Sequence, residues 1–229
     1  MKILRIQGKN LASIAGEFDI DFTAAPLRSA GIFAICGPTG AGKSTVAQLF
    51  ASFGLPVIDA DQVWRTLLIP PSDCLSELVR RFGREILAPD GTLDRRALGR
   101  TVFSDPAELE ALNALSHRYI MTDVGRRLRR LREEGCRAAV FDAPQLFEAG
   151  ADRICSIIVS VLASPEARLA RIMGRDGIGE SDARLRMNAQ KPDSFFRAHS
   201  DYIIENNGGL EGLTGAVRRI LFETGVLTV

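Results

Sequence analysis

The sequence predicts an α/β fold, a parallel sheet flanked by helices, and three observations predict it. Short apolar runs rich in β-branched residues recur at "GIFAIC", "LPVIDAD", "RAAVFDAP", "ICSIIVSVL" and "DYIIEN". They lack the polar alternation of a half-exposed sheet, so each reads as a strand covered on both faces. Helical patterns separate these runs, and a glycine-rich turn joins the first run to the first helix. Strands alternating with helices build a doubly wound core. The 229 residues suffice for one domain with a sizeable core, or for a core that carries an inserted lobe.

Taken in order, "MKILRIQ" and "GEFDIDF" alternate apolar and polar residues. They predict an added antiparallel β-hairpin beside the "GIFAIC" strand, joined through "GKNLASIA" and without a catalytic group. Residues 1–30 therefore read as an N-terminal extension. The first helix follows at "KSTVAQLFASFG". From about Trp64 to Arg137 the patterns are mainly helical, and "DPAELEALNALSHRYIMTDVGRRLRRLREEG" repeats apolar residues at spacings of three and four after an Asp-Pro start. An inserted helical lobe over 64–137 is the expectation. "SPEARLARIMGRD" opens with Ser164 as N-cap and Pro165 at the first helical position, and begins a helical lid over 165–190. No repeat, low-complexity tract or extended heptad pattern interrupts the chain.

Charge narrows the function classes. The 29 Lys and Arg nearly balance 28 Asp and Glu, a formal net charge of +1, which argues against a generally basic nucleic-acid binder. Cys36, Cys74, Cys136 and Cys155 have no metal-ligand spacing and fit a reduced compartment. The start carries no apolar signal segment, and no apolar run approaches the length of a membrane span. The expectation is a soluble cytoplasmic protein with no membrane or nucleic-acid partner.

The chemistry concentrates in "GIFAICGPTGAGKST". Gly37, Gly42, Lys43 and Ser44 match G-x-x-x-x-G-K-[ST], with a buried-type strand before and a helix after. Such a phosphate loop, here Gly37, Pro38, Thr39, Gly40, Ala41, Gly42, Lys43, Ser44 and Thr45, turns backbone amides inward around phosphate oxygens. Lys43 reaches the β and γ phosphates of ATP, and Ser44 offers a hydroxyl to Mg²⁺. In "VIDAD", Asp59 and Asp61 share one strand face if the strand persists, at the edge where ligands bind in open sheets. One could take a proton from an incoming hydroxyl, or the two could cap a following helix. Arg168, Arg171 and Arg175 fall at helical spacing, either as a solvated stripe or as a lid over the transferring phosphoryl group. Asp142 ends "AAVFD" as an acid near Mg²⁺ or as a turn cap. His117 is one of two histidines.

Together these residues resemble dephospho-coenzyme A kinase. The likeness is carried by "GAGKSTVAQLFASFGLPVIDAD", "FGREILAPDGTLDRRALGRTVFSDP", "LNALSHRYI", "APQLFEAGAD", "RIMGRDG" and "SDYIIENNGGLEGL". The resemblance implies Asp61 as general base, with Lys43 and Arg171 as its catalytic companions. It also implies a helical lobe that holds dephospho-coenzyme A, a lid with Arg171 and Arg175, a nucleotide-base contact at Asn207 and a substrate contact at His117. The reaction it implies is transfer of the ATP γ phosphate to the ribose 3′ hydroxyl of dephospho-coenzyme A.

The sequence departs from that family at three places. The usual His-Pro is His117-Arg118, the usual Pro-Leu-Leu-x-Glu is "PQLFE" with Gln145, and the usual Gly-Gly-Ile-Gly-Ser-Gly-Lys-Ser-Thr is "GPTGAGKST". The first 45 residues look like the opening of the ATPase head of an SbcC-type DNA repair nuclease. That alternative lacks a Leu-Ser-Gly-Gly signature, an Asp-Glu pair after the apolar strand and a coiled-coil arm. Another small-molecule phosphate-loop kinase is the third reading.

Overall fold

The computed structural model describes residues 5–9, 17–21 and 31–227. Strands β1 (Arg5–Lys9) and β2 (Glu17–Asp21) pair in a two-stranded sheet of their own. The expected position beside the phosphate-loop strand is therefore corrected. That strand, β3 (Ile32–Cys36), has both hydrogen-bonding edges filled by strands from later in the chain, leaving no edge for the pair. The connection "GKNLASIA" lies largely outside the described residues.

The chain continues through α1 (Lys43–Ser52), β4 (Val57–Asp59), α2 (Ala60–Leu67), α3 (Asp73–Phe82), α4 (Arg95–Phe103) and α5 (Pro106–Glu133). It then forms β5 (Ala139–Asp142), β6 (Ile157–Leu162), α6 (Pro165–Asp176), α7 (Glu180–Asn188), α8 (Asp193–Ala198), β7 (Tyr202–Glu205) and α9 (Leu210–Glu223). The five apolar runs of the sequence become β3 to β7, in the order β4-β5-β3-β6-β7. β3 pairs in parallel with β5 and β6, and β6 with β7. The central strands are covered on both faces: all five residues of β3 and all four of β5 are buried, as their largely apolar pattern requires.

Two compact units emerge. Of the described residues, one comprises 5–7, 19–21, 31–58 and 130–227, and the other 8–9, 17–18 and 59–129. In the first, Phe33, Ile35, Val46, Phe50, Val140, Val159, Val161, Val217 and Ile220 form the core, which brings α1 and α9 onto the sheet. The second has a separate core of Cys74, Leu75, Leu78, Phe82, Ile86, Leu98, Val102 and Leu115, where α3, α4 and α5 meet. Local signals set the ends of its helices. Ser72 caps α3 by accepting from the Leu75 amide, and Asp94 caps α4 by accepting from the Arg96 and Ala97 amides. No helix among the described residues is long and apolar enough to cross a membrane.

Candidate active site

β3 delivers the chain to Gly37, and α1 begins at Lys43, so the intervening turn is a loop pinned between a buried strand and a buried helix. Its conformation depends on glycine at two points. Gly37 has φ +133°, and a Cβ there would stand 2.2 Å from the Val161 carbonyl oxygen. Gly42 has φ +94°, and a Cβ would stand 2.1 Å from Asn206 Nδ2. Any L side chain is strained in such a backbone and here also collides.

The loop leaves the amides of Gly40, Gly42, Lys43 and Ser44 without a hydrogen-bond acceptor among the described residues. Convergent amides at a helix start form an anion site. Lys43 Nζ donates to the Gly37 and Pro38 carbonyls at 2.8 and 3.2 Å, spanning the mouth of the loop. An ammonium has three donors, so one remains for a phosphate oxygen. Burial pushes the Lys43 pKa down, opposed first by the charge of Asp142. Asp142 ends β5 in register with Ile35 of β3, is buried, and so stands beside the loop's own strand.

The lid residues approach the loop in different ways. Arg171 Nη1 donates to the Gly40 and Ala41 carbonyls at 3.2 and 3.4 Å, and Nη2 to the Asn206 carbonyl at 3.0 Å. Arg168 is buried, at 7% exposure, and donates through Nε to the Thr39 carbonyl at 3.1 Å. The solvated-stripe alternative is thereby removed for Arg168, because α6 turns this residue onto the loop rather than to water. Arg175 is held by Asp176 at 2.7 and 3.0 Å and stays largely exposed, while its charge helps to lower the Lys43 pKa.

Asn207 Oδ1 accepts from the Ser164 amide at 2.7 Å, which ties the turn after β7 to the start of α6. Its neighbour Asn206 is the buried one, and Nδ2 donates to the Ala41 carbonyl at 2.7 Å. Alternation carried that signal: Ile204 is buried, Glu205 exposed and Asn206 buried in turn. Gln190 is a second residue that the sequence did not single out. It contacts Thr39 from the link between α7 and α8.

The acidic pair also differs from expectation. β4 ends at Asp59 and α2 begins at Ala60, so Asp59 and Asp61 do not share a strand face. Asp59 is the N-cap of α2, its carboxylate accepting from the Gln62 amide at 3.0 Å, and Asp61 lies exposed in the first turn. A cap takes up the Asp59 carboxylate locally and leaves Asp61 as the acid projected from a helix start.

The helical unit has a cavity of about 610 Å³ lined by Glu77, Arg80, Arg81, Ala111, Ala114, Leu115 and Arg118. α5 contributes Ala111, Ala114, Leu115 and Arg118 to it, and α3 contributes Glu77, Arg80 and Arg81. Arg118 pairs with Glu77 at 2.5 Å, and the Tyr119 hydroxyl donates to the same carboxylate at 2.8 Å. Those two bonds hold the Glu77 pKa below its ordinary value, while burial and Glu77 push Tyr119 up to about 12. His117 is half-buried on α5, next to this pair. Gln145, where apolar leucine was expected, is exposed, so the site does not demand an apolar side chain.

Sheet order, strand-loop-helix and the nest of amides define the phosphate-loop class of nucleotide-binding proteins. A family model described as dephospho-CoA kinase matches residues 31–212, and one described as an AAA domain matches residues 5–53. The dephospho-CoA kinase of Corynebacterium glutamicum is 38% identical over 189 residues, covering 82% of this chain and 94% of the relative. That of Arabidopsis thaliana is 40% identical over 192 residues, covering 84% of this chain and 83% of the relative. Among solved structures, TT1252 from Thermus thermophilus superposes with a TM-score of 0.75 at 36% identity, covering 87% of this chain and 99% of that one. The chain belongs to the dephospho-CoA kinase family.

Proposed function

We propose that the chain transfers the γ phosphate of ATP to the ribose 3′ hydroxyl of dephospho-coenzyme A, with Asp61 as the group that receives or orients the hydroxyl proton. The observation that supports this reading most is the amide nest between Gly37 and Ser44, spanned by Lys43, in a chain of this family. Phosphoryl transfer asks little covalent chemistry of a protein and much positioning and charge stabilisation. The nest holds the β and γ phosphates, Lys43 supplies its remaining donor to them, and Arg171 neutralises charge on the group in transit. Arg175 adds a second guanidinium from the same helix, and residues 165–190 serve as the lid. Asn207 acts by fixing the start of that lid.

The residues present fit Mg²⁺. Ser44 keeps an exposed hydroxyl in the first turn of α1, and Asp142 offers a buried carboxylate at the end of β5, both oxygen donors of the kind a hard cation takes. Ser44 and Asp142 would hold the ion or its water shell, and the ion would supply positive charge to the phosphates. The 64–137 insertion holds the acceptor: the cavity in its helices joins apolar Ala111, Ala114 and Leu115 to Arg80, Arg81 and Arg118, and His117 lies on the same helix as Arg118. The protein acts in the cytoplasm.

Single-turnover transfer at saturating ATP and Mg²⁺ tests the role of Asp61. Asp61→Asn is expected to bind ATP as the parent does and to lose transfer by on the order of 10² to 10⁴. Asp59→Asn, which only weakens a helix cap, is expected to lose far less. Near-parent transfer by Asp61→Asn would refute the assignment.

A further inference from the structure

All the polar atoms of Thr39, at the tip of the phosphate loop, are engaged by side chains from far along the chain. Its amide donates to Gln190 Oε1 at 2.8 Å, its hydroxyl oxygen accepts from Gln190 Nε2 at 2.5 Å, and its carbonyl accepts from Arg168 Nε at 3.1 Å. The two partners are themselves joined, since Arg168 Nη2 donates to Gln190 Oε1 at 3.3 Å and Nη1 faces Asp193 at 3.5 Å. This pattern fixes the amide of Gln190 in one orientation. Its oxygen receives two donors while its nitrogen meets an acceptor, and turning the amide over would aim N–H groups at both donors.

The tip has little freedom besides. At Gly40, the next residue, a Cβ would stand 2.8 Å from the Arg168 carbonyl oxygen, so the backbone of α6 lies directly against the loop. Gln190 sits between α7 and α8, and Arg168 lies within α6. Helices that carry the lid therefore hold the tip open from outside, while the amides of Gly40, Gly42, Lys43 and Ser44 are left for a ligand. Preorganised donors are worth more than donors that must be turned into place at the moment of binding.

We propose that Gln190, with Arg168, is a positioning residue that sets the tip of the phosphate loop through Thr39 and thereby couples nucleotide affinity to the lid. The idea rests on the nucleotide-binding part of the function proposed above and does not depend on the acceptor. Linkage makes the coupling mutual: a clamp that favours the bound loop is favoured by bound nucleotide.

The test measures ATP binding calorimetrically in the full chain with Mg²⁺ and no acceptor. Gln190→Leu keeps the bulk of the side chain but leaves the Thr39 amide and the Arg168 guanidinium without its oxygen, and is expected to weaken ATP binding about tenfold. Thr39→Val removes the hydroxyl alone and is expected to weaken it about threefold. The double variant should bind ATP no worse than Gln190→Leu, because both changes break one contact set. The KM for dephospho-coenzyme A should stay within about twofold of the parent in each case, a split that general loss of structure would not produce.

Thermal unfolding of each variant accompanies the titrations, and Thr39→Val keeps the idea testable if Gln190→Leu does not fold. Parent-like ATP affinity in the folded Gln190→Leu variant would overturn the proposal, as would losses that multiply in the double variant. A parent that binds ATP but does not phosphorylate dephospho-coenzyme A would overturn the acceptor assignment and leave the clamp standing.

Discussion

The phosphate loop and the helical cavity solve recognition with different materials. In the loop the groups offered are backbone amides, and side chains such as Asn206 and Gln190 work from behind by occupying a loop carbonyl and the tip. In the cavity proposed for the acceptor the polar groups are side chains, and Arg118 and Glu77 in its lining are tied to each other and, through Glu77, to Tyr119. A backbone site is held by the glycines whose positive φ shapes it, here Gly37 and Gly42, while its other side chains can change. A side-chain site can exchange members when charge and volume are kept. Two of the three departures in the sequence fit this contrast. Arg118 in place of proline finds a partner in Glu77, and Thr39 in place of isoleucine finds one in Gln190.

The largest separation between the two regions is expected from their cations. Lys43→Ala removes the only side-chain ammonium of the loop and should lower steady-state turnover by on the order of 10² to 10³, the loss typical of one preorganised donor to developing charge. Arg118→Ala should change only the acceptor side. Its partner Glu77 keeps the Tyr119 bond, so KM for dephospho-coenzyme A should rise about three- to tenfold with ATP affinity unchanged. An equal effect of Arg118→Ala on ATP affinity would erase the distinction.

The smallest expected effect is on acid stability of the helical unit. Arg118 and Tyr119 hold the Glu77 pKa below that of the unfolded chain. The stabilisation is therefore present above the ordinary carboxylate range and is lost as pH falls through the lowered folded value. Glu77→Gln should therefore lower stability at pH 7 slightly, with the difference from the parent fading as pH falls through the lowered folded value, which denaturation followed by circular dichroism at several pH values would read. Glu77 is partly exposed, so the difference should shrink with added salt.

Much of the fold was legible because its signals are local. Five apolar runs mark the five strands of the sheet, Ser164 and Pro165 mark the start of α6, and the phosphate loop carries its glycines within six residues. What escaped depends on distance or on a single boundary. Gln190 lies 151 residues from Thr39 and Asn206 165 residues from Ala41, and no local pattern announces a side chain that serves a loop so far away. The "DAD" element misled for the opposite reason. Whether the strand continues through Asp61 turns on one residue, and the capping bond from Asp59 to the Gln62 amide ends it there. Beside Asn207, which meets the Ser164 amide, strand alternation marks Asn206 as the buried asparagine that reaches the loop.

The central claim is that a backbone-built nucleotide site serves one small-molecule acceptor. Coupled release of ADP, followed with dephospho-coenzyme A, adenosine, AMP or double-stranded DNA added to the same enzyme, ATP and Mg²⁺, tests it most directly. Release should be fast with dephospho-coenzyme A, with the label of γ-labelled ATP recovered on its ribose 3′ hydroxyl, and at background with the other three. ADP release stimulated by DNA, or by adenosine or AMP as strongly as by dephospho-coenzyme A, would contradict it.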